Sequence, residues 1–116
     1  MSTVTMNELG EIRISDDVLA TLAGISAIGC YGIVGMASKR ATDGLIELLG
    51  MENLSRGVKV TTSGNEVTID LYIIVEYGIS IAAVAQNVID TVKYNVEKLT
   101  GVTVNQVNIK VEGVRV

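Results

Sequence analysis

The alternation of apolar and polar residues marks the middle of the chain as a β-hairpin. Residues 57–62 and 66–77 alternate with the period of two that side chains have on a strand, and Ser63, Gly64 and Asn65 between them form a turn signal. One face of the second strand is entirely aliphatic, with Val67, Ile69, Leu71, Ile73 and Val75. The other face is mixed, with Thr68, Asp70, Tyr72, Ile74 and Glu76. We therefore predict that this mixed face is neither fully solvated nor fully buried.

Helical spacing of apolar residues predicts two main helices. The longer one covers Ser80 to Leu99, with an apolar face of Ile81, Val84, Ala85, Val88, Val92, Val96 and Leu99, and Gly101 is suited to end it. The shorter one follows Ser15, a typical N-cap, and runs from Asp16 to about Ala27. The region 39–57 is the least clear, and a short helix over 42–49 is predicted there.

Three further alternating segments complete the predicted order of elements. They cover 11–14, 31–37 and a last strand in which Val107, Ile109 and Val111 share a face. The order β-α-β-(α)-β-β-α-β predicts an α+β fold, in which a single sheet of about five mixed strands carries the two main helices on one face. The long connection before the last strand permits parallel neighbours. Residues 1–8 are predicted to be a flexible N-terminal tail and residues 9–116 a single domain.

The stretch from Val18 to Ser38 contains no charged residue and is long enough to be considered as a transmembrane helix. Four glycines interrupt it, each of which costs about 1 kcal/mol relative to alanine inside a helix. Ser15, Asp16 and Asp17 precede it as the start of an ordinary helix would. We therefore predict a helix followed by a buried strand, and no direct insertion into a membrane.

The charge of the chain argues against a nucleic-acid partner. The net charge is −4, and the nine basic residues are scattered, whereas binding to phosphates requires clustered Lys and Arg. The glycines at positions 29, 32 and 35 have the spacing G-x-x-G-x-x-G, which admits a KH-like nucleic-acid-binding module as an alternative. No basic residue lies between these glycines, and the spacing fits neither the dinucleotide fingerprint nor the P-loop. Turn formation and close packing are the preferred interpretation.

The side chains that catalysis requires are largely missing. The chain has no histidine, and its one cysteine, Cys30, lies in an apolar segment typical of an inert thiol. The acidic pairs Asp16–Asp17 and Asp43–Glu47 are interpreted as a helix start and a solvated helix face, and not as metal ligands. We predict a protein that is not an enzyme and has no cofactor or metal. The alternative left by the sequence is a site of carboxylates that only the folded structure brings together.

The positive functional signal is apolar surface. Tyr72, Ile74 and Tyr77 project from the mixed strand face, and Leu45, Leu48 and Leu49 belong to an aliphatic segment too large for one short helix to bury. Exposed apolar patches on small proteins typically mark partners or self-association. These six residues are the predicted interaction surface; the alternative is that the chain's own helix or loop covers them.

The chain resembles the alkaline shock protein family, also called the envelope stress response family, of Gram-positive bacteria. The similarity spans nearly the whole chain, in order: Gly10 to Ser15 with Val18, Gly32 to Met36, Gly57 to Val60, Asp70 to Gly78, and Val107 to Val114. Each motif is mostly alternating aliphatic residues and glycine, so the ordered combination carries the resemblance.

The resemblance implies a non-enzymatic cytoplasmic protein linked to cell-envelope homeostasis. Larger members self-associate and are held at the membrane by a separate anchor protein, which implies a protein partner or a second copy here, and a position at the inner face of the membrane only through that partner. This chain lacks their charged terminal extensions and is similar to the compact branch of the family. A small-ligand-sensing domain is a further alternative.

Overall fold

The computed structural model of the protein describes residues 2–38 and 48–116 and has an α+β fold, as predicted. The strands are β1 (Ser2–Asn7), β2 (Gly10–Ser15), β3 (Ile33–Met36), β4 (Val58–Ser63), β5 (Glu66–Glu76) and β6 (Thr103–Arg115). The helices are α1 (Asp16–Ile28) and α2 (Ile81–Thr100), with a 3₁₀ segment at Met51–Gly57.

Strand β5 lies at the centre of a mixed four-stranded sheet. Strand β6 runs parallel along one edge of β5 over its full length. The other edge is shared end to end, because β4 pairs with residues 66–71 and β3 with residues 73–75, both antiparallel. The parallel β5–β6 pair is joined through α2, in agreement with the long connection seen in the sequence.

The core lies between one face of this sheet and the two helices. The aliphatic face of β5 is buried as predicted, with exposed fractions of no more than 1 % for Val67, Ile69, Leu71, Ile73 and Val75. Helix α2 contributes to this core one stripe of four valines at intervals of four residues, Val84, Val88, Val92 and Val96, all buried. The buried face of α1 consists mainly of Leu19, Ala20, Ala23 and Ala27.

Both helices begin and end where the sequence indicated. The Ser15 hydroxyl accepts a hydrogen bond from the Val18 amide, and the Ser80 hydroxyl accepts one from the Ala83 amide. Gly101 follows α2 with φ of 77°, a left-handed conformation that favours glycine. These caps fix the ends of the long helix at positions 80 and 101.

Loss of the Ser80 cap is expected to weaken α2 directly. Ser80→Ala leaves the Ala83 amide without its side-chain acceptor, and we expect a loss of about 1 kcal/mol in the free energy of unfolding, measured by urea denaturation. Ser80→Asp is the control, because it keeps an acceptor and adds a negative charge at the positive end of the helix dipole. Equal stability of Ser80→Ala and wild type would show that the cap contributes nothing.

The prediction of a flexible tail over residues 1–8 is wrong for residues 2–7, which form β1 and pair with β2 in an antiparallel hairpin. The β-branched residues of β1 favour this extended conformation, and pairing satisfies the backbone groups of both strands. Strand β2 consequently belongs to a separate two-stranded sheet and not to the main one. The single predicted sheet of about five strands is thus a hairpin plus a four-stranded sheet.

Two other segments differ from the sequence prediction. Strand β6 extends well beyond 107–112, because two register shifts let it follow β5 over its whole length. The predicted helix over 42–49 lies outside the described residues up to position 47, and its last two residues are not helical. Leu48 forms an isolated antiparallel bridge with Ala37, and the Leu49 amide donates to the Met36 carbonyl at 2.9 Å.

The uncharged stretch from Val18 to Ser38 forms helix α1 followed by strand β3, as predicted. Helix α1 has 13 residues. Within residues 2–38 and 48–116, no helix combines the length and the hydropathy needed to cross a membrane.

Candidate interaction surfaces

Ile74, predicted to be part of an exposed surface, is buried with 4 % of its area exposed. Its partner in β3 is Gly35 and its partner in β6 is Gly113. The side chain of Leu48 lies over Gly35, since a Cβ atom added there would be 2.6 Å from Leu48 Cδ1. The prediction for Ile74 is therefore wrong. Gly35 and Gly113 have no side chains and leave space beside Ile74, and the Leu48 side chain occupies the space over Gly35.

The other predicted surface residues are scattered. Leu49 is buried at 7 % exposure, so its prediction is also wrong, and Leu45 lies outside the described residues. Leu48 (42 % exposed) and the half-buried Tyr72 lie on either side of Ala37, which donates its amide to the Tyr72 carbonyl at 2.8 Å.

Tyr77 is exposed but follows the far end of β5, about five residues or 16 Å along the strand from Tyr72. Among the described residues of the six, Leu48 and Tyr72 are therefore the two that lie near each other and keep exposed area.

The glycine-rich segment 29–35 is packed against the rest of the protein. Gly32 has φ of 86°, and an added Cβ would lie 2.7 Å from Val84 Cγ2. The Gly32 carbonyl accepts a hydrogen bond from the Glu76 amide at 3.0 Å. Together with the contact of Gly35 with Leu48, these distances support the interpretation of the glycines as turn and packing residues.

The outer face of α1 is an apolar surface that sequence reasoning placed in the interior. Val18 and Ile25 are about half exposed, at 49 % and 47 %, and Thr21 and Leu22 beside them are partly exposed. No charged residue occurs on this helix after Asp17. The outward face of a surface helix is normally polar or charged. The missing charge was visible in the sequence, but it also fits a fully buried segment.

The end of the β1–β2 hairpin, residues 6–12, exposes three apolar side chains. Met6, Leu9 and Ile12 are 72 %, 98 % and 53 % exposed. The Asn7 side chain fixes the turn, because its Oδ1 accepts from the amides of Leu9 (2.8 Å) and Gly10 (3.1 Å). The signal available in the sequence was Asn7 followed by Gly10, a turn pattern between two short alternating segments.

A third feature is an open pocket at the start of α2, here called the α2 pocket, with a volume of about 360 Å³. Its lining is mostly apolar and comprises Tyr31, Gly78, Ile79, Ser80, Ala83, Val84 and Asn87. Tyr31 is 78 % exposed. The first turn of α2 contains no acidic residue, so the positive end of the helix dipole is not neutralised there.

The one cysteine and the carboxylates of Asp16 and Asp17, the candidates for a nucleophile and for metal ligands, do not line this pocket. The Cys30 thiol is buried and lies 3.5 Å from the Ser26 carbonyl oxygen. Asp16 accepts a hydrogen bond from the Thr62 hydroxyl at 2.8 Å, beside a smaller pocket of about 260 Å³ that also contains Asp17 and Lys59. Among the described residues, no three acidic or cysteine side chains gather as metal ligands would.

Comparison with known proteins agrees with the resemblance seen in the sequence. The chain is 52 % identical over 117 residues to the uncharacterized protein YloU of Bacillus subtilis (strain 168), covering all of this chain and 98 % of that protein. It is 41 % identical over 108 residues to the uncharacterized protein Spy1614 of Streptococcus pyogenes serotype M6, covering 92 % of this chain and 89 % of that protein.

A more distant relative carries a functional description. The stress response regulator gls24 homolog of Streptococcus pyogenes serotype M3 is 24 % identical over 106 residues, which cover 91 % of this chain and 59 % of that protein. No solved structure matches the chain. The model of the alkaline shock protein 23 family, described by a cell envelope-related function, matches residues 4–116. The chain therefore belongs to the alkaline shock protein 23 family.

Proposed function

We propose that this protein is a non-catalytic protein-interaction module that serves cell-envelope homeostasis or the stress response, and that it acts by binding copies of itself and a protein partner. The family has a cell envelope-related function, and one relative is named as a homolog of a stress response regulator. The proposal adds to this association a mode of action, which is recognition of protein surfaces.

The observation that carries the proposal is the uncharged outer face of α1. On this face Val18 and Ile25 expose about half of their area to water, while the opposite face of the helix packs on the sheet. Covering such a face with another protein removes apolar area from water, which is favourable by roughly 25 cal/mol per Å². An exposed apolar face of this kind is expected on a protein that functions while bound to a partner.

The absence of histidine and the burial of the one cysteine support a role without catalysis. Nucleophilic catalysis requires a nucleophile next to a base. Cys30 is surrounded by the core, and its sulfur is close to a backbone carbonyl, which does not activate a thiol.

Crosslinking in cells tests the proposal. Wild type is expected to yield discrete protein adducts, identified by mass spectrometry. The double variant Val18→Asp/Ile25→Asp is expected to lose one adduct by about tenfold or more, since charge on a contact face opposes its burial. Tyr94→Asp is the control for an added carboxylate, because it places one such charge at a side chain that is 61 % exposed on the other helix.

Two results would contradict the proposal. One is a wild type that yields no protein adduct at any crosslinker concentration. The other is recovery of RNA by ultraviolet crosslinking, with binding that falls steeply as salt rises, which would favour the nucleic-acid-binding alternative. Circular dichroism of the purified variants establishes that any loss of adduct does not result from unfolding.

A further inference from the structure

We propose that the β1–β2 hairpin end of one copy of this chain inserts Leu9 into the α2 pocket of a second copy, so that copies join head to tail. The inference deepens the proposed function, on which it rests, by naming the two surfaces through which the protein binds itself. It is carried by the position, shape and charge of the hairpin end and of the pocket.

The two surfaces lie at opposite ends of the molecule. Thr5 of the hairpin donates a hydrogen bond to Asn65 Oδ1 at 3.2 Å, in the turn before β5, and Asp16 after the hairpin is bonded to Thr62. The hairpin end therefore projects past the β4–β5 turn. The pocket begins at Gly78, after the other end of β5, which is 11 residues or about 36 Å long. The longest dimension of the molecule is 53 Å.

The hairpin end presents Leu9, here called the plug, from a turn whose backbone is already fixed in the monomer. Leu9 is 98 % exposed, and its backbone is held by the two hydrogen bonds to Asn7, so little conformational entropy is lost when it binds. Met6 and Ile12 lie on the strands next to the turn, on opposite faces of the hairpin, because Met6 pairs with Glu11 and Ile12 with Thr5, so one exposed apolar side chain lies on each face behind Leu9. A leucine that is almost fully exposed buries no apolar area in the monomer and so does not stabilise its fold.

The α2 pocket has the complementary shape and lining. Its volume of about 360 Å³ admits a leucine side chain, and Ile79, Ala83 and Val84 supply an apolar wall. Tyr31 stands at the same pocket and is mostly exposed, so it is available to cover an inserted side chain. Tyrosine is enriched among the residues that contribute most of the binding energy at protein contacts.

The charges of the two ends are also complementary. Near the hairpin end, Glu11 is paired with Arg13 at 2.8 Å, which leaves Glu8, next to Leu9, as the net negative charge. At the pocket, the first turn of α2 carries no acid. Glu76, the nearest acid on β5, lies opposite Arg115 in the β5–β6 register. Insertion of Leu9 thus brings Glu8 toward the positive end of a 20-residue helix, an arrangement that is favourable for an acidic side chain.

Such a contact joins two different surfaces and does not close on itself as a two-fold dimer does. A copy bound at its pocket still presents its own hairpin end, so assembly continues with concentration. Sedimentation equilibrium of purified wild type, from about 10 μM to 1 mM, is expected to show an average mass that rises beyond that of a dimer.

Two single variants and their mixture test the geometry. Leu9→Glu removes the plug, and Ala83→Glu blocks the pocket and repels Glu8; each is expected to weaken association by about tenfold or more, since burial of one leucine corresponds to that factor. Both positions are exposed, and a glutamate at position 83 suits the first turn of a helix, so neither variant is expected to disturb folding. Tyr94→Glu, on the exposed face of α2, is the matched control and should associate as wild type does.

The mixture gives the decisive result. Ala83→Glu retains an intact hairpin end and Leu9→Glu retains an intact pocket, so an equimolar mixture is expected to form one-to-one dimers that grow no further. Wild type that remains monomeric, wild type that stops at a dimer, or single variants that associate as wild type does would each overturn the inference. Adducts with a different protein in cells, together with a monomeric purified protein, would leave the partner binding of the proposed function standing and would reject this contact and self-association.

Discussion

Ile74→Asp is expected to destabilise the fold strongly, and not merely to disrupt a binding surface. The side chain of Ile74 is 4 % exposed and lies between Gly35 and Gly113 on the neighbouring strands. A carboxylate placed there loses its hydration, and these two strand neighbours offer it neither a cation nor a side-chain donor. We expect a loss of about 4 kcal/mol or more in the free energy of unfolding, a large part of the roughly 5–15 kcal/mol available to a small domain.

Urea denaturation followed by circular dichroism checks this result. Tyr77→Asp is the matched control, because the same acidic residue replaces a side chain that is 72 % exposed just beyond the same strand. The control is expected to change the free energy of unfolding by no more than about 0.5 kcal/mol. Two variants of equal stability would mean that the mixed face of β5 is open to water at Ile74.

The pair also shows where sequence reasoning about β5 stops. The period of two correctly assigned the aliphatic face of the strand to the core, because those side chains alternate along one continuous segment. The burial of Ile74 depends on Gly35 and Gly113, which lie 39 residues to either side of it in the sequence and meet it only in the folded sheet. Periodicity within one strand contains no information about its neighbours across the sheet.

The N-terminal hairpin was missed for a related reason. Strand β1 contributes no residue to the main hydrophobic cluster of the described part of the chain, so the apolar periodicity that reveals core elements is weak there. Its order comes from pairing with β2 and from the Asn7 turn, and a pairing partner is not visible in a six-residue segment. The hairpin that holds Leu9, the most exposed apolar side chain of the proposed contact, was therefore assigned largely to a tail.

The helices, in contrast, were predicted almost to the residue. Their signals are local: the serine caps at positions 15 and 80, the left-handed glycine at 101 and the valine stripe of α2 all act within one or two turns. What could not be predicted is which faces stay exposed. The uncharged segment after Asp17 was assigned to a buried helix and strand, whereas α1 leaves Val18 and Ile25 half exposed.

Gly57→Ala is the second variant from which we expect a large effect, a loss of about 2–3 kcal/mol in the free energy of unfolding. A Cβ atom on Gly57 would lie 2.7 Å from the Ala37 carbonyl oxygen and 3.0 Å from Met36 Cβ. Ala37 cannot move away freely, because its amide donates to the Tyr72 carbonyl at 2.8 Å. Overpacking of this kind typically costs about 1–3 kcal/mol, and a backbone neighbour that is fixed on the sheet places it at the upper end.

Gly29→Ala is the control for the same chemical change. Gly29 ends α1 with φ of −78° and ψ of −8°, a conformation that alanine adopts readily, and an added Cβ would be no closer than 3.7 Å to any atom. We expect this variant to be unchanged or more stable by up to about 1 kcal/mol, since alanine restricts the unfolded chain. Urea denaturation of both variants should therefore separate them by at least about 2 kcal/mol. A Gly57→Ala protein as stable as Gly29→Ala would mean that the 3₁₀ segment is not held against β3, and that Leu49 is not enclosed between them.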